Sequence, residues 1–133
     1  MNPHLRRELR DLTLVAGGAI PGALLRWQLE LVAASATSPG LRALSGADLL
    51  ANLIGCLLIG MLLAQPPQRA RLYLWGGIGF CGSLTTFSSW MLELVRRLDH
   101  GQPLEAFLVL AVSVLGGLAL VQLGYGLARS RPG

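Results

Sequence analysis

A chain of 133 residues that is 53% hydrophobic and 14% charged is too apolar for an ordinary soluble domain, which carries about a quarter charged residues. The net charge of +4 rests on arginine alone, since all eleven basic residues are Arg. They are spread between apolar runs rather than gathered on one face, which fits membrane surfaces and not a nucleic-acid footprint. With a mean hydropathy of +0.56, the chain is expected to form one transmembrane domain over residues 1–133. Cys56 and Cys81 both fall in apolar runs and read as buried free thiols. No CxxC or Cys/His spacing suggests zinc, and His4 and His100 read as solvated.

In chain order, a short polar start carries Arg6, Arg7 and Arg10 and leads into a first span expected over 12–32. The basic start and Ala34-Ser35-Ala36 resemble a cleaved signal peptide, but the apolar run continues too far and then meets Arg26, Trp27, Gln28 and Glu30. Gly18 and Gly22 form a small-xxx-small pattern that lets another helix approach closely. Pro21 is expected to bend the helix. Arg26, in the last turns, either snorkels to the interface or lines an ion entrance, and snorkelling is the more ordinary reading.

A Ser/Ala/Gly/Pro-rich loop over 33–46 carries Arg42. The second span is expected over 47–64, with Asp48 at its mouth and Asn52 one turn further in. An amide buried in a membrane helix needs partners, so Asn52 is either interhelical glue or part of a polar path. After a tight basic turn, the third span is expected over 72–94, followed by a turn with Arg96, Arg97, Asp99, His100 and Gly101. The fourth is expected over 106–128, carrying Ser113 and the Gly116-Gly117 pair.

Four spans with short loops place both termini on one side. That side holds Arg6, Arg7, Arg10, Arg69, Arg71, Arg129 and Arg131; the other holds Arg42, Arg96 and Arg97, with Arg26 beside them. The bias favours cytoplasmic termini but is modest, leaving insertion in both orientations open.

The third span is the unusual one. It carries Gly76, Gly77, Gly79 and Gly82, then Thr85, Thr86, Ser88 and Ser89. At 100° per residue these hydroxyls cannot share one helical face. Either the helix is intact and they bond back to carbonyls one turn earlier, or it breaks here, and the preceding glycines favour a break. A break in mid-membrane exposes carbonyl oxygens able to hold a small hard cation such as Na⁺. Phe87 and Trp90, three residues apart, lie near one another. Such pairs are usually lipid or core packing. Ring edges, however, are the positive part of the aromatic quadrupole. Beside hydroxyl and amide donors, including Asn52, they can replace the water shell of a small, strongly hydrated anion.

The string Gly79-Phe80-Cys81-Gly82-Ser83-Leu84-Thr85-Thr86-Phe87-Ser88-Ser89-Trp90, with Glu93 beyond it, resembles the third-span pattern of the Fluc (CrcB-type) fluoride channels. Gly17-Gly18 through Arg26 and Asn52-Leu53-Ile54-Gly55 support the resemblance, which covers nearly the whole chain in length and layout. It implies an all-α integral membrane protein of four transmembrane helices, broken in the third, that assembles as an antiparallel, dual-topology dimer with two fluoride pores. Asn52 would donate to fluoride; Phe87 and Trp90 would take the paired aromatic positions; Thr86, Ser88, Ser89 and Ser113 would form the hydroxyl lining. The carbonyls of Gly82 and Thr85 would bind a central structural Na⁺. Arg26 matches the family's first-span arginine and Glu93 its glutamate near a pore mouth. Trp90 and Ser83 depart from the family's usual Phe and Gly, so homodimer and pairing with a homologous chain both stay open.

The expected function is thus passive fluoride export across the inner cell membrane, with no catalytic constellation and no enzyme activity. A proton-coupled exporter of similar size would need a carboxylate deep in a span, and the first span has none between Asp11 and Glu30. A structural membrane subunit would leave the hydroxyl and aromatic cluster without a purpose.

Overall fold

The computed structural model describes residues 2–35 and 47–130, which are helical with short connections and contain no strand. Arg42 lies outside the described residues. The first helix, α1 (Pro3–Ser35), starts well ahead of the apolar run. Its start is set by the local sequence: Asn2 Oδ1 accepts from the His4 N–H at 3.1 Å, and Pro3 sits at a first-turn position where no N–H donor is needed. At the other end α1 takes in residues 33–35, expected as loop, and the Ser35 hydroxyl donates to the Val32 carbonyl at 2.8 Å. Pro21 lies inside α1 without ending it.

The second helix, α2 (Ala47–Leu63), agrees with the expected apolar run to within one residue. The next run, α3 (67–84), is helical in pieces: a 3₁₀ turn at Pro67–Arg69, an α turn at Ala70–Leu72, π-helix over Tyr73–Cys81 and an α turn at Gly82–Leu84. The wide π turns coincide with Gly76, Gly77 and Gly79, which are buried. Missing side chains at these positions let the backbone open without steric penalty.

After Leu84 the helix stops, and Thr85 is extended with φ −80° and ψ 153°. Helix α4 (Ser88–Asp99) then begins, and α5 (Pro103–Arg129) follows, with a second π stretch at Val112–Gly116. The turn expected to begin at Arg96 is displaced, because α4 runs through Arg96, Arg97 and Asp99. The chain reverses at Gly101, whose φ of +71° is a left-handed conformation that favours glycine after a helix C-terminus.

The helices meet mainly through glycine. Side-chain atoms on Gly18 or Gly22 of α1 would run into the backbone around Trp75 and Phe80 of α3, and on Gly79 into Val15 and Gly18. Across the bundle, Gly60 and Gly124 seat α2 against α5 in the same way, opposite Val121 and Leu57. The small-residue pattern in the first span therefore receives α3. Backbone contact of this kind suits helices in lipid, where tails are as apolar as the side chains and burial alone drives little association. Leu84, at the end of α3, is the largest completely buried side chain among the described residues.

The outside is correspondingly apolar: Ile20, Ile78, Phe107 and Leu115 are all exposed. Among the described residues α5 is the one helix long and apolar enough to cross a membrane unaided, and only 17% of its most apolar stretch is buried. An all-helical chain with this exterior is consistent with a membrane protein.

Candidate functional site

The interruption between α3 and α4 would leave backbone groups without helical partners. Asn52 of α2 meets them: its Nδ2 donates to the Thr86 carbonyl at 2.9 Å, and its Oδ1 accepts from the Thr86 N–H at 2.8 Å. In a continuous helix that N–H would bond to the Gly82 carbonyl, so the Asn52 pairing releases Gly82 from its normal donor. One amide side chain thus fixes the interruption to the neighbouring helix, and one of its N–H bonds is left over.

The hydroxyls are divided between the two sides of the gap. Thr85 donates back to the Cys81 carbonyl at 2.9 Å, extending the hydrogen-bonding of α3. Thr86 and Ser89 lie 3.2 Å apart at the start of α4, and the Ser89 N–H approaches the Thr86 hydroxyl at 3.4 Å. Ser83 has the carbonyls of Ala19, Gly79 and Phe80 within 2.8, 2.9 and 3.1 Å. With one proton to donate, it ties α3 to α1 at the Ala19 carbonyl or to its own preceding turn.

The aromatic pair sits just beyond. Phe87 and Trp90 have ring centroids 5.9 Å apart with planes inclined by 51°, a tilted arrangement within the range aromatic pairs favour. Phe87 points outward and is 72% exposed, whereas Trp90 is half-buried against Leu94, Ala106 and Val109. The Trp90 indole Nε1 donates to the Ser113 hydroxyl of α5 at 3.0 Å, and Ser113 donates to the Val109 carbonyl at 2.7 Å.

Asn52, Thr85, Thr86, Phe87, Trp90 and Ser113 together line an open groove of about 340 Å³ between α2, the interruption and α5. Its wall thus combines an amide, hydroxyls and aromatic rings and carries no formal charge. Other residues expected to act here lie elsewhere. Ser88 is exposed and does not line the groove, and Ser89 reaches the site only through Thr86. Arg26 pairs with Glu30 one turn on, at 3.2 Å. Glu93 pairs with Arg97 at 2.8 Å, beyond the groove. Gly82 is exposed at the end of α3. Both cysteines are free thiols; Cys81 is buried as expected, whereas Cys56 is half-buried at the groove wall.

Arg97, expected in the short turn, is instead buried within α4, at 7% exposure. Its Nε donates to Glu93 at 3.0 Å and its guanidinium reaches Glu105 of α5 at 3.1 Å. The displacement of the turn to His100–Gln102 carries Arg97 into the interface between α4 and α5. Its i, i+4 spacing from Glu93 is visible in the sequence and signals such a pair.

The description "CrcB-like protein, Camphor Resistance (CrcB)" belongs to a family whose model matches residues 13–125 of this chain. The chain belongs to that family. Among relatives, it is 43% identical over 127 residues, 96% of this chain and 87% of the relative, to the Fluoride-specific ion channel FluC 2 of Synechococcus sp. (strain CC9605). It is 43% identical over 125 residues to the Fluoride-specific ion channel FluC of Stutzerimonas stutzeri (strain A1501), covering 91% and 98% of the two chains. It is 40% identical over 122 residues to the Haemophilus influenzae (strain PittEE) protein of the same name, covering 87% and 91%. The CrcB-like match spans α2, α3 and α4 in full, so it includes the interruption and every residue of the groove.

Proposed function

We propose that this chain is a fluoride-selective passive channel of the inner cell membrane that lets F⁻ leave the cytoplasm down its gradient. The observation that carries this reading is the groove at the interruption, where amide, hydroxyl and aromatic side chains converge without a fixed charge. A small anion gives up its water only to many close donors, and weak individual donors keep it moving. A full positive charge in the wall would hold the anion in place. The names of the relatives support the same ion.

In this reading Asn52 uses its remaining N–H as a donor, Phe87 and Trp90 present ring edges, and Thr86 and Ser113 complete the polar wall, with Ser89 behind Thr86. Ser88, Arg26 and Glu93 lie outside the groove, where Arg26 and Glu93 serve at a pathway mouth. The residue 85–87 segment serves as the mid-membrane break of the third of four spans, and two chains assemble in antiparallel orientation, as a homodimer or with a homologous chain. The outward-facing ring of Phe87 and the exposed Gly82 suit a second subunit on that face.

The carbonyls of Gly82 and Thr85 fit the structural Na⁺ implied by the family. Gly82 is relieved of its helical donor by the Asn52–Thr86 pairing, and Thr85 is extended, so both oxygens lie at an interrupted helix end. Bound there, Na⁺ would neutralise clustered carbonyl dipoles. Asn52 contributes by holding Thr86 away from Gly82.

The test is ion release from liposomes loaded with KF or KCl, followed with ion-selective electrodes. The purified chain, alone or with a co-expressed homologue, is expected to release F⁻ and retain Cl⁻. Equal release of both ions, or of neither, would sink the proposal.

A further inference from the structure

We propose that the Trp90 indole N–H is an exchangeable donor, resting on Ser113 between ions and handed to the passing anion, with Ser113 setting how tightly that anion is held. The inference rests on the fluoride reading above and goes beyond it by assigning a competition between one side-chain bond and the ion.

The indole has one N–H, and at 3.0 Å from Ser113 Oγ it is used. Ser113 has one hydroxyl proton, and at 2.7 Å from the Val109 carbonyl it too is used. On this wall of the groove the unit therefore presents a spare lone pair of Ser113 and no free donor, which is unfavourable to an anion. For an anion to be bound at Trp90, the indole proton must leave Ser113. Ser113 then loses only an accepted bond, because its own proton stays on Val109, so no buried donor is stranded by the exchange. The N–H is fixed in the indole plane, so re-aiming it takes a small tilt of the whole ring; packing on Leu94, Ala106 and Val109 and the neighbouring Phe87 ring keep that tilt small. A phenylalanine at this position would lack the exchangeable proton altogether.

Removing the resting partner should therefore strengthen anion binding. A typical neutral hydrogen bond contributes enough that its loss as a competitor corresponds to about a fivefold change in affinity. The experiment uses the whole chain labelled with ¹⁵N-tryptophan, in detergent or nanodiscs, titrated with NaF or NaCl at constant ionic strength. The indole signals of Trp27, Trp75 and Trp90 are resolved by NMR, with Trp90→Phe identifying the third. The Trp90 signal is expected to move with NaF and not with NaCl, with those of Trp27 and Trp75 still.

Ser113→Ala should shift the Trp90 signal before any fluoride is added and lower the half-shift NaF concentration about fivefold. Ser113→Thr, which keeps the hydroxyl, should restore the parent value. Unmoved Trp27 and Trp75 signals establish that each variant keeps its fold. If the parent releases F⁻ from liposomes but its Trp90 signal ignores NaF, the exchange is wrong while the channel reading stands. An unchanged half-shift concentration in Ser113→Ala would likewise overturn it. A parent that releases no F⁻ overturns the channel reading and this proposal with it.

Discussion

The crossing of α1 with α3 and the hairpin of α4 with α5 hold the same bundle together by opposite means. At the first, Gly18, Gly22 and Gly79 bring two backbones into contact, and the Ser83 hydroxyl in the crossing is satisfied by backbone carbonyls. At the second, the helices are separated by full side chains and joined by Arg97, itself paired with Glu93 on α4, to Glu105 at one end and by Trp90 to Ser113 at the other. A backbone contact leaves no space between helices. Side-chain bonds hold helices apart at a set distance, and the groove opens beside the second arrangement, where α4 begins. Rigidity is thus placed before Leu84 and polar space after it.

The largest effect should come from breaking the tight crossing. Gly79→Leu would force α1 away from α3 and destabilise the fold by about 3 kcal/mol, the upper range for overpacking a close contact. Loss of monodisperse protein in size-exclusion chromatography and a lower melting temperature in detergent would show it; an unchanged melting temperature would mean that the crossing is not rigid. Next is Asn52→Asp. The carboxylate still accepts from the Thr86 N–H but has no donor for the Thr86 carbonyl, and it adds negative charge to the groove. Fluoride release should fall at least about tenfold, corresponding to roughly 1.4 kcal/mol on the barrier. A variant that conducts like the parent would leave Asn52 as a structural brace only.

The side-chain-joined hairpin is sharpened by Arg97→Met. Both glutamates are partly exposed, so the loss should be about 1–2 kcal/mol and not the larger figure for a fully buried pair. Adding Glu93→Gln and Glu105→Gln should recover most of it in thermal melts, whereas no recovery would show that the Arg97 stem matters more than its charge. The smallest effect is a control. A side chain on Gly126 meets nothing within 4 Å. Gly126→Ala should therefore raise stability by about 0.5 kcal/mol through helix propensity alone. A loss there would reveal an unseen close contact on that face of α5.

Much of this arrangement was legible before any coordinates. The apolar run at 47–64 is helical from Ala47 to Leu63, and the Gly/Thr/Ser density of 76–89 marks the place where regular α-helix gives way. Asn52, Thr86, Phe87, Trp90 and Ser113, drawn from separate runs, do come to one groove. What hydropathy missed is also physical. It locates apolar stretches and not helix ends, so α1 begins at Pro3 through a side-chain cap and α4 continues through Arg97 through an ion pair. Nor does it distinguish α from π turns, since the difference lies in which carbonyl each N–H chooses. The direction of Asn52 toward the Thr86 backbone required knowing that the Thr86 N–H was free, which depends on the interruption itself.

The extended residue Thr85 also has an electrostatic result. Where one helix ends and another begins, the carbonyl end of the first macrodipole and the amide end of the second lie within a few residues of one another, with opposite partial charges. A single stop of this kind supplies a place congenial to a cation and a place congenial to an anion within a few residues. Neither needs an ionised side chain in the low-dielectric interior, where a lone charge would be most costly.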